Sequence, residues 1–148
     1  MTNWTVLTVV LAALAAGTTA CGPSPTDISF ERATDQVREQ AAKLRDSINH
    51  AVADGQDETQ IVLPLTADQE LGRRRTGDGF EIDAVLYDHA EAGGGGTYQQ
   101  AKVRLCVRYT THQRPSPKVD LSDLDCPSTL PDTVDGYGRI DRTVRLQD

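Results

Sequence analysis

The stretch Phe80-Glu-Ile-Asp-Ala-Val-Leu-Tyr-Asp-His89 alternates between apolar and polar side chains, and a second alternating stretch runs from Thr97 to Thr110. Four glycines, at positions 93–96, stand between them. Alternation with a period of two is typical of a strand with one buried face, and glycine supplies the turn between two such strands. The pattern therefore predicts a β-hairpin.

The same pattern predicts how the two strands of the hairpin pair. If the four glycines form the loop, Ala92 faces Thr97 and Phe80 faces Tyr109. The apolar face then contains three further pairs: Ile82 with Val107, Ala84 with Leu105, and Leu86 with Val103. The opposite face contains three more: Glu81 with Arg108, Val85 with Arg104, and Tyr87 with Lys102. A shift of one residue would turn one apolar set toward solvent, so the facing of each strand is strongly specified.

An amphipathic helix, predicted from Ser29 to Asp54, can cover the apolar face of the hairpin. Six apolar residues recur there at spacings of three, four or seven: Phe30, Val37, Ala41, Leu44, Ile48 and Val52. Such a stripe is typical of a helix that packs by one side. Thr26, Asp27 or Ser29 can cap its start, and Gly55 can end it.

Three shorter segments complete the predicted sheet. Residues 60–65 form an edge strand at best, because Pro64 has no amide hydrogen to donate. Residues 118–121 predict a neighbouring strand after a turn at 114–117, and residues 139–146 predict a last strand. The last strand has three apolar residues on one side: Ile140, Val144 and Leu146.

The predicted fold class is therefore α+β, with one long N-terminal amphipathic helix packed on an antiparallel sheet of about four strands. The cystatin-like arrangement is similar to it in the order of elements. The polar residues 66–79 and the residues 126–138 are predicted to be loops.

The first twenty-one residues carry a different signal. The apolar run from Val6 to Ala16 is shorter than the ~20 residues that span a bilayer, and it has the length of the apolar region of a secretory signal. The small residues that follow it lead to Thr18-Thr19-Ala20-Cys21-Gly22. This arrangement resembles the lipobox of bacterial lipoproteins.

The resemblance implies that residues 1–20 are removed as a signal peptide and that the thiol of Cys21 carries a lipid. Residues 21–28 would then be the lipidated cysteine and a flexible tether, and residues 29–148 a single domain on the extracytoplasmic face of the cell membrane. The alternatives are an ordinary cleaved signal and a single membrane anchor.

Lipidation of Cys21 would leave Cys106 and Cys126 as the remaining two of three cysteines. Outside the cytoplasm, an even remainder predicts one disulfide, which would stabilise the fold by roughly 3 kcal/mol. The alternative is two buried free thiols. The hairpin places Cys106 on its polar face, opposite Asp83, so the bridge must reach a neighbouring strand or a segment folded over that face.

The acidic composition disfavours negatively charged partners, and the chain has one basic cluster. The net charge of -7 disfavours nucleic acid and anionic lipid surfaces. Arg73, Arg74 and Arg75 could bind a phosphate or an anionic cell-wall polymer, although a solvated loop is the favoured interpretation. The histidines at positions 50, 89 and 112 are too scattered to predict a metal site.

Three functions remain as expectations. The favoured one is a membrane-anchored lipoprotein that binds an envelope protein, with no catalytic residues, cofactor or metal. The second is a module that binds a cell-wall polymer or anionic ligand through Tyr87, Arg104 and Arg108 together with residues 73–75. The third and least favoured is a small hydrolase with an acid–base pair at Asp88 and His89.

Overall fold

The computed structural model describes residues 22–94, 96–113 and 115–147. Its elements follow in chain order: α1 (Pro25–Ala53), β1 (Glu70–Arg75), β2 (Phe80–Gly94), β3 (Thr97–His112), β4 (Lys118–Asp123), β5 (Thr133–Val134), β6 (Gly138–Arg139) and β7 (Arg142–Val144). Strands β1-β2-β3-β4 form an antiparallel sheet in that order, and β7 lies parallel to β3. One helix packs on this sheet, so the α+β prediction is confirmed.

Helix α1 begins earlier than predicted because Ser24 caps it. The Ser24 hydroxyl accepts a hydrogen bond from the Asp27 amide (3.2 Å), and the Asp27 carboxylate accepts one from the Ser24 amide (3.3 Å). Pro25 occupies the first helical position, where proline costs no hydrogen bond. Residues 25–28, which were predicted to belong to a tether, therefore lie in the helix.

The predicted stripe of α1 is the face that packs on the sheet. Its buried residues are Ala33, Val37, Ala41, Leu44, Ile48 and Val52, and Phe30 is partly buried at one end. The inner face of β2 and β3 supplies the other half of the core: Ile82, Ala84, Leu86, Val103, Leu105, Val107 and Tyr109. Burying a large aliphatic side chain such as Ile48 stabilises the fold by about 2 kcal/mol.

The hairpin has the predicted facing but a different register. Pairing continues to Gly94 and Thr97, so Ile82 lies opposite Tyr109 and every predicted pair is displaced by two residues. Gly96, in the connection, has a φ of 86°, which glycine adopts at low cost. Two glycines thus extend a strand instead of joining the loop, because short hairpin connections match the twist of the strands.

The edge strand was predicted in the wrong place. Residues 60–65 form no strand: Ile61 and Leu63 are buried, whereas Val62 between them is 91% exposed. The edge belongs to β1, because the Thr76 amide donates to the Gly79 carbonyl (3.0 Å) and this turn brings the chain back along β2. Residues 73–75 therefore lie on a strand, and the prediction of a loop there was wrong.

The C-terminal third adds a layer that the sequence analysis placed in a loop. Strand β4 lies beside β3, as predicted. The last strand is shorter than predicted, since β7 comprises only Arg142–Val144. Ile140 packs on the outer face of the sheet while Val144 packs in the main core, so the prediction that both lie on one side was wrong. The chain passes from one face to the other between these two residues.

The predicted leader and lipidation site lie outside the described residues. Within residues 22–94, 96–113 and 115–147, no helix is both long enough and apolar enough to cross a membrane. The signal peptide, the lipid on Cys21 and the membrane location accordingly stay predictions.

Candidate functional site

The outer face of the sheet is covered by a segment that a disulfide holds in place. Cys106 on β3 is bonded to Cys126, as predicted, with a Cα–Cα distance of 5.3 Å. In the observed register Cys106 lies opposite Val85 and not opposite Asp83. Residues 124–140, here called the outer layer, pack on this face and contain the small sheet of β5 and β6. They form a second apolar cluster with Val85, Tyr87 and Cys106.

A groove of about 680 Å³ lies between the outer layer and the residues that precede β1. One side of it is formed by Thr66, Asp68 and Gln69. The outer layer forms the other side with Leu130, Pro131, Thr133, Val134 and Asp135. Tyr87 and Tyr137 complete the lining, so aromatic rings, aliphatic carbons and two carboxylates meet in one concave surface.

The two tyrosines define the chemistry of the groove. Their ring centroids lie 5.7 Å apart with the rings tilted by 40°, and the ring of His89 meets Tyr137 edge-on at 6.0 Å. Burial raises the pKa of both Tyr87 and Tyr137, because an ionised phenol would lose hydration. Both hydroxyls therefore stay neutral at physiological pH and can donate or accept a hydrogen bond. Tyr87 is buried, with 4% of its surface exposed, so the half-buried Tyr137 offers most of the aromatic contact in the groove.

The predicted arginine cluster is already paired with carboxylates of the same chain. Arg73 contacts Glu70 (2.6 Å) and also donates to the Ile61 carbonyl (2.8 Å). The partners of the other two arginines are Glu81 and Asp83 for Arg74, and Glu58 and Asp57 for Arg75. An incoming anion would have to compete with these carboxylates, so anion binding at residues 73–75 stays a prediction without a contact that favours it.

The polar hairpin face does not form one open surface. Arg108 makes two hydrogen bonds to Asp83, at 2.7 and 2.8 Å. Arg104 donates to the Thr143 hydroxyl on β7 (2.7 Å) and to the Pro131 carbonyl of the outer layer (3.4 Å). Tyr87 belongs to the groove. The three residues that the second functional hypothesis grouped together therefore have separate partners.

The Asp88–His89 pair that a hydrolase would need is not assembled. Asp88 points to the helix side of the sheet and accepts a hydrogen bond from Gln40 (2.6 Å). His89 is exposed on the other side, against Tyr137. Neighbouring residues of a strand point to opposite faces, which separates these two side chains.

No group of three or more metal-ligating side chains occurs among the described residues. His112 lies between two carboxylates, those of Asp78 and Asp120, at 3.3 Å from each. His50 lies in the last turn of α1 and His89 beside Tyr137. The three histidines thus lie in three separate places.

Tyr137 and the apolar residues of the outer layer were not predicted from the sequence to be part of a site. A signal was present, because Leu130, Val134 and Tyr137 recur at spacings of four and three shortly after Cys126. A disulfide to the outward-facing Cys106 requires the chain after Cys126 to begin at that face. The two observations together would have predicted an apolar cover there.

Comparisons with known proteins add no family to this geometry. No protein family model, no curated protein and no solved structure matches the chain. A function has therefore to be argued from the residues and contacts of the chain itself.

Proposed function

We propose that this chain is a lipid-anchored extracytoplasmic protein that binds a partner in the cell envelope and performs no catalysis. The supporting observation is the bond between Cys106 and Cys126. It uses two of the three cysteines and leaves Cys21, at the end of the apolar leader, as the one available for a lipid. Structural disulfides persist in oxidising compartments, which agrees with export.

The start of α1 also suits an anchored domain. Ser24 closes the N-terminus of the helix with its own side chain, so the capping of α1 uses residues that follow Cys21. Cys21 stands only three residues earlier in the sequence, a link that spans about 10 Å when extended. A lipid at Cys21 would therefore hold a self-contained domain close to the membrane.

The anchor is tested by the intact mass of the full-length chain after extraction from bacterial membranes. We expect a mass that lacks residues 1–20 and carries a diacylglycerol, because the lipobox-like residues end at Cys21. The Cys21→Ser variant should lose the added lipid, whereas the Cys126→Ser variant should retain it. A wild-type chain that still starts at Met1, or that carries an unmodified Cys21, would contradict the proposal.

The groove beside Tyr87 and Tyr137 is the surface we propose for the partner. It is concave, it joins apolar rings to polar groups, and aromatic side chains of this kind dominate many protein interfaces. The arginine cluster is the contrasting surface, because contacts that it made would be largely electrostatic.

Capture from an envelope extract distinguishes the two surfaces. Tyr137→Ala should abolish capture of a defined protein band, and the control variant Val62→Ala, at an exposed apolar residue outside the groove lining, should retain it. Capture through the groove should persist at high ionic strength, where the Debye length falls to about 3 Å at 1 M salt. Capture that survives Tyr137→Ala but disappears in high salt would instead assign binding to the charged surface.

A further inference from the structure

The tip of the β2–β3 hairpin lies at the same end of the domain as the start of α1. Arg32, in an early turn of the helix, donates from Nη1 to the backbone carbonyl of Glu91 (3.3 Å), close to the tip. Further along the helix, the Ala41 carbonyl accepts a hydrogen bond from Tyr109 (3.2 Å), which lies opposite Ile82. The helix therefore runs away from the tip as the chain proceeds.

The two ends reach about the same level. From Arg32 back to Pro25 the helix extends about 10 Å, at 1.5 Å per residue. From Glu91 to Gly94 strand β2 extends about 10 Å, at about 3.3 Å per residue. A lipid on Cys21, just before this end of the helix, would bring the hairpin tip to the membrane surface as well.

The chemistry of the tip suits a lipid headgroup region. Residues 93–100 contain no charged side chain. Tyr98 is 65% exposed, and in the described part of the chain the other large apolar side chain that is exposed is Val62, which lies elsewhere. Gly93 lies beside the Tyr98 ring, since a Cβ built at Gly93 would be in ordinary van der Waals contact with it at 3.7 Å.

The hydroxyl of Tyr98 stays polar and neutral. A hydrogen bond with Glu91 raises the pKa of Tyr98, and the ring keeps most of its surface open to solvent. A side chain with an apolar ring and a polar end is the kind enriched where membranes meet water.

We infer that the hairpin tip, formed by Gly93, Gly94 and residues 96–98, is a second membrane contact, with Tyr98 at the level of the headgroups of a zwitterionic lipid surface. This inference rests on the proposed function, because it needs the lipid on Cys21. One tyrosine adds little affinity to that of an acyl anchor. The tip is a second point of contact beside the lipid, so its effect is to fix the orientation of the domain on the membrane.

Tryptophan fluorescence can test the contact, because the chain contains a single tryptophan, Trp4. The proposed processing removes Trp4 with residues 1–20, and Trp4→Phe excludes emission from any unprocessed chain, so one introduced tryptophan reports its own surroundings. The variants Tyr98→Trp and Val62→Trp are extracted from membranes and reconstituted into phosphatidylcholine vesicles with brominated acyl chains. Bromine quenches indole emission only at short range.

Val62 is the matched control because it is exposed and lies at the other end of the domain. Its neighbour Ile61 accepts a hydrogen bond from Arg73 (2.8 Å), and Arg73 pairs with Ile82, far along β2 from the tip. We expect the Tyr98→Trp protein to be quenched several-fold more than the Val62→Trp protein.

Each other outcome has a definite meaning. Equal quenching of two vesicle-bound variants overturns the tip contact and leaves the anchor standing. Failure of both variants to bind vesicles, together with an unmodified Cys21 by mass, overturns the anchor and this inference together. If Tyr98→Trp does not fold, Thr97→Trp replaces it under the same criterion, since Thr97 is also exposed on the tip.

Discussion

Tyr109 is the largest side chain fully enclosed between the helix and the sheet. Its hydroxyl donates to the Ala41 carbonyl (3.2 Å), and burial raises the pKa of this phenol far above its usual range. The folded protein therefore keeps Tyr109 protonated at a pH where an unfolded tyrosine ionises, about 10. Its contribution to stability is fully present below about pH 10 and is lost as the pH rises toward the folded pKa.

We expect Tyr109→Phe to lower the free energy of unfolding by about 1 kcal/mol at pH 7, because one hydrogen bond is lost. Above about pH 10 the wild-type protein should lose about 1.4 kcal/mol per pH unit through this residue, and the variant should not. The difference between the two proteins should shrink and then reverse. Urea unfolding at a series of pH values measures this difference in the free energy of unfolding. If that free energy falls with pH equally in both proteins, the raised pKa of Tyr109 is contradicted.

At the scale of residues, the facing of side chains could be predicted and their partners could not. Alternation alone placed Cys106 on the outer face and Val107 in the core, because strand geometry fixes which way each residue points. The carboxylate partners of Arg74, by contrast, come from a strand whose position depends on tertiary packing. Tyr137 was not predicted, because the spacing of Leu130, Val134 and Tyr137 indicates an apolar face only when it is combined with the outward-facing Cys106, and the contact with Tyr87 depends on tertiary packing.

The start of α1 depends on a reciprocal pair of hydrogen bonds between Ser24 and Asp27. Two hydrogen bonds lower the pKa of the Asp27 carboxyl: the one from the Ser24 hydroxyl has the larger effect, and the one from the Ser24 amide has the smaller. Helix N-termini leave amide donors without intrahelical partners, and this pair satisfies one of them while Asp27 holds the Ser24 amide.

We expect Ser24→Ala to destabilise the protein by about 1 kcal/mol, the usual cost of losing such a cap. Ser47→Ala is the matched control on the same helix, because Ser47 is exposed and bonds only the Lys43 carbonyl (3.1 Å). Alanine is the better helix former there, so this control should be neutral or slightly stabilising. Equal losses in both variants, measured by thermal unfolding, would contradict the role of the cap.

At the scale of elements, the long periodic segments could be predicted and the short ones could not. The helix stripe and the two alternating strands each repeat their pattern several times, so chance matches are few. Strand β1 contains Glu70-Leu-Gly-Arg-Arg-Arg75, in which no apolar alternation marks a strand. It forms because β2 offers an unpaired edge and two carboxylates, Glu81 and Asp83, for Arg74, and neither is visible in the sequence of β1 itself.

The outer layer depends on the disulfide more than the rest of the molecule does. It contacts the sheet through a small apolar cluster, whereas α1 and the inner face of β2 and β3 share the large core. Cys126→Ser should therefore lower the free energy of unfolding by about 3 kcal/mol, the value for a loop of this length. The loss should be greatest in local stability around residues 126–140.

Hydrogen exchange locates this effect. We expect amides of the outer layer to exchange faster in Cys126→Ser, while amides in the middle of α1 and β3 change only by the loss of global stability. Ser122→Ala, on the exposed side of β4 and outside the outer layer, serves as the control. It should change the exchange of neither the outer-layer amides nor the amides of α1 and β3. Uniform acceleration everywhere would show that the disulfide supports the whole core.

Strand β1 has a hydrogen-bonded neighbour, β2, on one side in the described residues. An open strand edge is a template on which a second copy of the chain could add its own strand. The three arginines and the irregular register between Glu70 and Gly72 make this edge a poor template, because charged side chains and a bulge both disfavour the addition of a strand. If the proposed lipid on Cys21 concentrates copies on one membrane, this edge would resist edge-to-edge aggregation among them.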